Sequence, residues 1–302
     1  MEVTNCDIII KEDKNNILKI LLDEFDNINE KTKVYFCLDK NKDEFTIIEK
    51  LIYDIVVYHF KRLKLDINDD SYHIECWTHY RSCNGYNLHI DVDEPEYKNN
   101  NMLYLPFLTT LTYFNDIPNP TMITGVTDEN FSNDVYLNSD IYLTFPKMLK
   151  HISFEGNKYF HGAVNIFNDV DIINKRYILG MNLWKRPLAY VEKYNFNLYK
   201  NSRYSFKNVF LINKDYEIFD FDEKKKTKEI KVNKLLLECI LMDNSVDTTV
   251  LNYEKNDFIR SLNIDIENFK KNFIGLIDKS ELEVYDVFKI VYEEDSNKSD
   301  CL

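Results

Sequence analysis

The chain has 302 residues, 44% of them hydrophobic and 14% aromatic, which is too much apolar and ring-bearing side chain for a disordered polymer and enough for a sizeable core. Against 51 acidic residues stand 38 basic ones, and the resulting formal charge of −13 repels phosphate backbones and disfavours nucleic acid as a partner. No stretch approaches the roughly 18 apolar residues of a membrane span, and the start MEVTNCDIIIKEDK has no secretion-signal pattern, so a soluble, intracellular (cytoplasmic) protein is expected.

In chain order, KVYFCL (Lys33 to Leu38) is β-branched and aromatic enough for a strand, and Phe45 to Leu63 carries apolar residues at helical spacing. These two elements are expected to open the fold. Short strand-like runs follow at Tyr72–Trp77, Tyr86–Val92, Phe107–Phe114, Thr121–Thr124, Ile141–Phe145, His151–Phe154 and Arg176–Trp184, punctuated by turn residues such as Asn84-Gly85 and Glu155-Gly156-Asn157. The pattern reads as an antiparallel sandwich or barrel flanked by helices. After Pro187 the character changes: a charged run holds Lys224 to Lys226, an apolar run spans Leu235 to Met242, and helices are expected around Asp257 and over Ile264 to Leu276. We divide the chain into residues 1–200 and a C-terminal extension, 201–302, whose last ten residues should fray. The six cysteines, Cys6, Cys37, Cys76, Cys83, Cys239 and Cys301, have irregular spacings and read as free thiols.

His89-Ile90-Asp91 sets an imidazole and a carboxylate two residues apart on an expected strand, where period-two geometry turns both to one face. His161 offers a second imidazole, and two His with one carboxylate make the facial triad that leaves open positions on a non-haem iron. H-x-D alone is a weak signal in an Asp-rich chain. The order adds specificity, because Arg176 follows His161 by 15 residues at the start of a strand, where a guanidinium fork can grip a dicarboxylate.

Through GYNLHIDVDEPEY, LPFLTTLTYFND, PTMITG, LTFPKMLKHISFEGNKYFHGA and RYILGMNLWKRPL, residues 33 to 190 resemble the Fe(II)/2-oxoglutarate-dependent dioxygenase superfamily and its prolyl-hydroxylase-like members. They also resemble a less characterised subgroup that combines Glu75, Trp77, H-x-D-x-D-E (His89 to Glu94), Pro106, Thr110, Tyr113, Pro120, Thr121, Asn182 and Trp184. The resemblance implies an α+β, mainly β fold with a double-stranded β-helix (jelly-roll) core, flanking helices and the extension. It assigns His89, Asp91 and His161 to Fe(II), Arg176 to the distal carboxylate of 2-oxoglutarate, and Tyr113 to the same carboxylate. O2 is the other co-substrate, and hydroxylation of a polypeptide side chain or small molecule, with release of succinate and CO2, is the implied reaction. Two departures stand out: Ile178 occupies a position where many relatives have Ser, and the long gap before Arg176 leaves Lys175 as a rival.

Other readings compete. A non-catalytic binding module on the same scaffold, or a cupin-like metalloenzyme without 2-oxoglutarate, would keep the fold. His59, His73, His79 and His151 fall outside the pattern and read as structural or surface residues. Asp93 and Glu94 are either a solvated acidic turn or a contact for a cationic substrate group, and loops at Glu94–Leu105 and Phe131–Leu137 are expected to enclose the entrance.

Overall fold

A computed structural model describes residues 3–30, 35–82, 86–117, 119–126, 135–163, 175–188, 191, 193, 211–224, 226–234, 236–237, 276–277 and 280–294. The fold opens earlier than expected, with strand β1 (Thr4–Ile10) and helix α1 (Lys14–Glu30). Their signal is present in the sequence: Ile17, Leu21, Phe25 and Ile28 recur at helical spacing, and all four are buried.

The expected strand at 33–38 is β2 (Tyr35–Cys37), and the expected helix is α2 (Ile47–Leu63). Phe45 lies in the short strand β3 (Glu44–Phe45), and Thr46 forms a capping box with Glu49, which starts the helix two residues later than periodicity suggests. Glu24 of α1 also accepts the backbone N–H of Ile48 at 2.7 Å, so one helix caps the other. Burial pushes the Glu24 carboxyl up to about 8.

The middle of the chain supplies β4 (His73–Ser82), β5 (Tyr86–His89), helix α3 (Glu94–Asn100), β6 (Leu108–Tyr113), β7 (Thr121–Thr124), β8 (Ile141–Thr144), β9 (Lys150–Phe154), β10 (Phe160–Ala163) and β11 (Lys175–Trp184). Beyond residue 201 come β12 (Ile212–Asn213), β13 (Phe219–Lys224), β14 (Thr227–Val232), helix α4 (Glu281–Val284) and β15 (Val287–Tyr292). The helices expected near Asp257 and over 264–276, and most of the apolar run 235–242, lie outside the described residues.

The fold is mainly β and built on antiparallel sheets. A seven-stranded sheet runs β13-β1-β9-β6-β11-β4-β2, and a six-stranded sheet runs β14-β15-β8-β7-β10-β5, with β14–β15 its one parallel pair among the described strands. Strands from beyond residue 201 therefore extend both sheets. Alternation along β11 divides the larger sheet into two faces. Leu179, Met181 and Leu183 face a core shared with α1 and α2, whereas Ile178 joins Trp77, Leu111, Tyr113, Ile123, Tyr142, Ile152 and Phe154 in a cluster drawn from both sheets. The sheets thus pack face to face, with Arg176, Gly180, Asn182 and Trp184 on the inner face of β11.

Behind the larger sheet, His59 of α2 and His151 of β9 share a hydrogen bond of 2.8 Å between their Nε2 atoms, and His151 Nδ1 bonds Thr112 Oγ1 at 2.8 Å. Both imidazoles are structural, as expected, and burial holds both in the neutral form. Cys6, Cys37 and Cys76 are free thiols, and no helix among the described residues is long and apolar enough to cross a membrane.

Candidate metal centre

His89 is the last residue of β5, and His161 lies directly opposite it on β10. Cross-strand partners share a face, so both imidazoles turn inward, with ring centroids 4.3 Å apart. Asp91 stands two residues past His89, beyond the end of β5, and its carboxylate comes to the same point, as the two-residue spacing leads one to expect. From there the chain runs into α3, with Asp93 N–H donating to Tyr104 O at 3.1 Å.

One ligand atom from each of His89, Asp91 and His161 lies within 4.8 Å of the other two. Each histidine Nε2 is 3.6 Å from an Asp91 oxygen, His89 from Oδ1 and His161 from Oδ2. That is too long for a hydrogen bond. It is close to the separation of about 3.0–3.4 Å between neighbouring ligands that each stand about 2.1 Å from one ion. The side chains are 31%, 18% and 6% exposed for His89, Asp91 and His161, so the site opens on the His89 side. His161 Nδ1 is buried without a hydrogen-bond partner among the described residues. The fit to a metal rests on the other ring nitrogen: the two Nε2 atoms and the Asp91 carboxylate, two nitrogen donors and one anionic oxygen donor converging on one point, fit a divalent metal. Burial, with His89 adding to it, holds the His161 pKa well below the usual imidazole value and keeps the ring neutral, as ligation requires.

One strand step away is the second part of the site. On β7, Ile123 is paired with His161 and Thr121 with Ala163, so Thr121 shares the inward face about 7 Å along the strand. Arg176 is 8% exposed and donates through one Nη to Thr121 Oγ1 at 2.6 Å; the Tyr113 hydroxyl meets the same oxygen at 2.6 Å. Arg176 also lies 5.7 Å from the centroid of the Tyr113 ring, and burial raises the Tyr113 pKa. Arg176 and Tyr113 thus meet near the triad. Thr121, which joins them, belongs to the family-like pattern in the sequence, but nothing local shows that it touches an arginine 55 residues away. Of Lys175, the backbone alone is described, as the first residue of β11.

The acidic segment after the triad differs from expectation. Residues 94–100 are α3 rather than an entrance loop, because Asp93 Oδ1 caps the helix by accepting the Glu96 N–H and Pro95 suits its first turn. Asp93 Oδ2 pairs with Arg186, whose guanidinium stacks 3.7 Å over the Tyr104 ring, and exposed Glu94 pairs with Lys98. Both acids thus already have protein partners, Asp93 in a buried cap and ion pair and Glu94 in an exposed pair on the helix surface. The other expected entrance loop falls partly outside the described residues, and Val135–Asn138 is a 3-10 turn.

Glu75 is the functional candidate that sequence reasoning left without a role. It faces inward on β4, and its Oε2 accepts from Asn182 Nδ2 at 3.3 Å and from Trp184 Nε1 at 3.1 Å. Burial, followed by the charge of Asp91, pushes its carboxyl up to about 7.

No family model matches the sequence, and no curated protein matches it. Among solved structures, the chain aligns with a prolyl-4-hydroxylase from Pseudomonas putida at 10% identity, covering 57% of this chain and 82% of that one, with a TM-score of 0.37. It aligns with HygX from Streptomyces hygroscopicus, solved with nickel and 2-oxoglutarate, at 10% identity, 61% and 83% coverage and a TM-score of 0.36. The epimerase SnoN, solved with Fe3+, alpha ketoglutarate and nogalamycin RO, matches at 10% identity, 69% and 88% coverage and a TM-score of 0.41. Likeness at this level says nothing of what this chain does.

Proposed function

We propose that the chain is an Fe(II)- and 2-oxoglutarate-dependent oxygenase, prolyl-hydroxylase-like, with a double-stranded β-helix core, that hydroxylates a polypeptide side chain or small molecule rather than nucleic acid. The observation that carries this reading is the convergence of His89, Asp91 and His161 one strand step from a buried arginine seated on Thr121.

His89, Asp91 and His161 would hold the iron, the two imidazoles as neutral donors and Asp91 as the anionic one. Arg176 would grip the distal carboxylate of 2-oxoglutarate. Thr121 fixes the guanidinium, and the Tyr113 hydroxyl stands beside it as a further donor. In this buried corner the charge-assisted bonds are stronger than at the surface, and Arg176 can select a dicarboxylate over a monocarboxylate. Iron with 2-oxoglutarate and O2, when bound, supplies the oxidising power and releases succinate and CO2. The chain's own residues contribute position: ligands on one side, the co-substrate grip on another, and an opening toward His89 for the substrate.

Anaerobic addition of Fe(II) and 2-oxoglutarate tests this directly. A weak visible charge-transfer band is expected in the wild type and should vanish in His89→Ala. Absence of metal binding would leave a non-catalytic module on the same scaffold, and metal binding without the band would leave a cupin-like metalloenzyme.

A further inference from the structure

A second constellation crosses the inner face of the larger sheet. Thr109 on β6 donates to Asn182 Oδ1 at 2.7 Å, and Asn182 on β11 donates in turn to Glu75 on β4, to which it is paired in the sheet register. The Trp184 indole donates to the same Glu75 oxygen. Oε2 is therefore doubly bonded and the carboxylate is held in one orientation. Its other oxygen, Oε1, accepts no hydrogen bond from any described residue. The neighbouring acids are committed elsewhere: Asp91 to the triad, Asp93 to Arg186 and the α3 cap, Glu94 to Lys98.

We propose that Glu75 Oε1 receives a primary ammonium group of the substrate, so that the substrate is a free alkylamine or a lysine side chain. The inference rests on the oxygenase reading for its reaction but not for its binding step. A carboxylate with one oxygen already doubly bonded and the other open gains more from a charged donor than from a neutral one. The single available oxygen suits an ammonium, which needs one acceptor per N–H, better than a guanidinium fork, which is matched by both carboxylate oxygens. Position agrees as well. Asn182 is six residues from Arg176 on the same face of β11, about 20 Å along the strand, so the amine site and the 2-oxoglutarate grip stand at opposite ends of the inner face. Trp77, the next inward residue on β4, adds an apolar neighbour for a methylene stem.

Calorimetric titration of the full chain decides the matter, with cadaverine and Nα-acetyl-lysine amide as free-amine and peptide-like probes. Nα-acetyl-arginine amide serves as the guanidinium comparison and Nα,Nε-diacetyl-lysine amide as the neutralised control, each with and without Mn(II) plus 2-oxoglutarate. The ammonium probes should bind, the control should not, and the arginine probe should be weaker. Glu75→Gln, which keeps an acceptor for Asn182 and Trp184, should weaken the ammonium probes by about ten- to a hundred-fold and leave 2-oxoglutarate affinity unchanged. The wild-type ranking needs no variant, so a folding defect in Glu75→Gln does not obscure it. Binding of none of the ammonium probes, equal binding of the acetylated control, or undiminished binding by a folded Glu75→Gln overturns the proposal. A wild type that binds amines but not Mn(II) with 2-oxoglutarate overturns the oxygenase reading alone.

Discussion

In an Arg176→Met variant, affinity for 2-oxoglutarate should fall by about 10- to 150-fold while the free protein keeps or gains stability. The first number is the worth of charge-assisted hydrogen bonds to a carboxylate, about 1.5–3 kcal/mol. The second expectation comes from the surroundings of the guanidinium. Arg176 is 8% exposed and is held by the hydroxyls and ring of Thr121 and Tyr113, so a cation is kept out of water there. Methionine replaces it with an apolar chain, and Thr121 retains the Tyr113 hydroxyl as a partner, which leaves no orphaned oxygen. Denaturation with Mn(II) and 2-oxoglutarate at about 100 times the wild-type dissociation constant reads both effects. Ligand linkage should stabilise the wild type by about 2.7 kcal/mol and a hundredfold weaker variant by about 0.4 kcal/mol, a gap of about 4 °C in melting temperature for a chain of this size. A variant that keeps the full ligand-induced shift refutes the assignment. A variant that loses stability when free but binds 2-oxoglutarate normally makes Arg176 a structural residue.

His89→Ala, at the exposed side of the triad, should abolish binding of Mn(II) by calorimetry while leaving the circular dichroism spectrum unchanged; loss of folding would indicate a structural metal. Gly180→Ala would drive a Cβ into the Trp77 indole at Cε2, so overpacking of about 1–3 kcal/mol should appear as a lower urea midpoint, and an unchanged midpoint would refute the contact. His59 is held neutral with its pKa depressed, so its contribution is intact above the unfolded value near 6.5 and is lost as pH falls below it. Wild-type stability should therefore fall relative to His59→Gln by about 1.4 kcal/mol per unit of acidification below that value, and parallel urea curves would refute the buried neutral pair. The comparison must be a difference, because Glu24 and Glu75, raised to about 8 and about 7, titrate in the opposite sense.

The candidate ligand set was legible because its chemistry is written in residue types and order: a rare histidine beside an aspartate, a second histidine and then an arginine. The strand pattern was legible as well, since Leu108–Tyr113 and Lys175–Trp184 are β-branched, aromatic and bounded by turns. Less legible was the local path after His89. The capping preference of Asp93 and Pro95 builds α3 where an entrance loop was expected, while the two-residue spacing of His89 and Asp91 agrees with their meeting at one point.

By itself, the sequence determined that the chain folds on a mainly β frame with buried helical faces, and it named His89, Asp91, His161 and Arg176 as candidates, because periodicity and residue chemistry are local properties; Tyr113 entered only through the family resemblance. Only the tertiary structure decided that Thr121 seats Arg176, that Asp93 is consumed by a cap and an ion pair, and that Glu75 is held by Asn182 and Trp184 with one oxygen left over. Those facts depend on strand register between segments far apart in the chain. A shift of one residue in the pairing of β4 with β11 would move Glu75 away from Asn182 and turn one of the two to the opposite face, and no local pattern encodes which register is chosen.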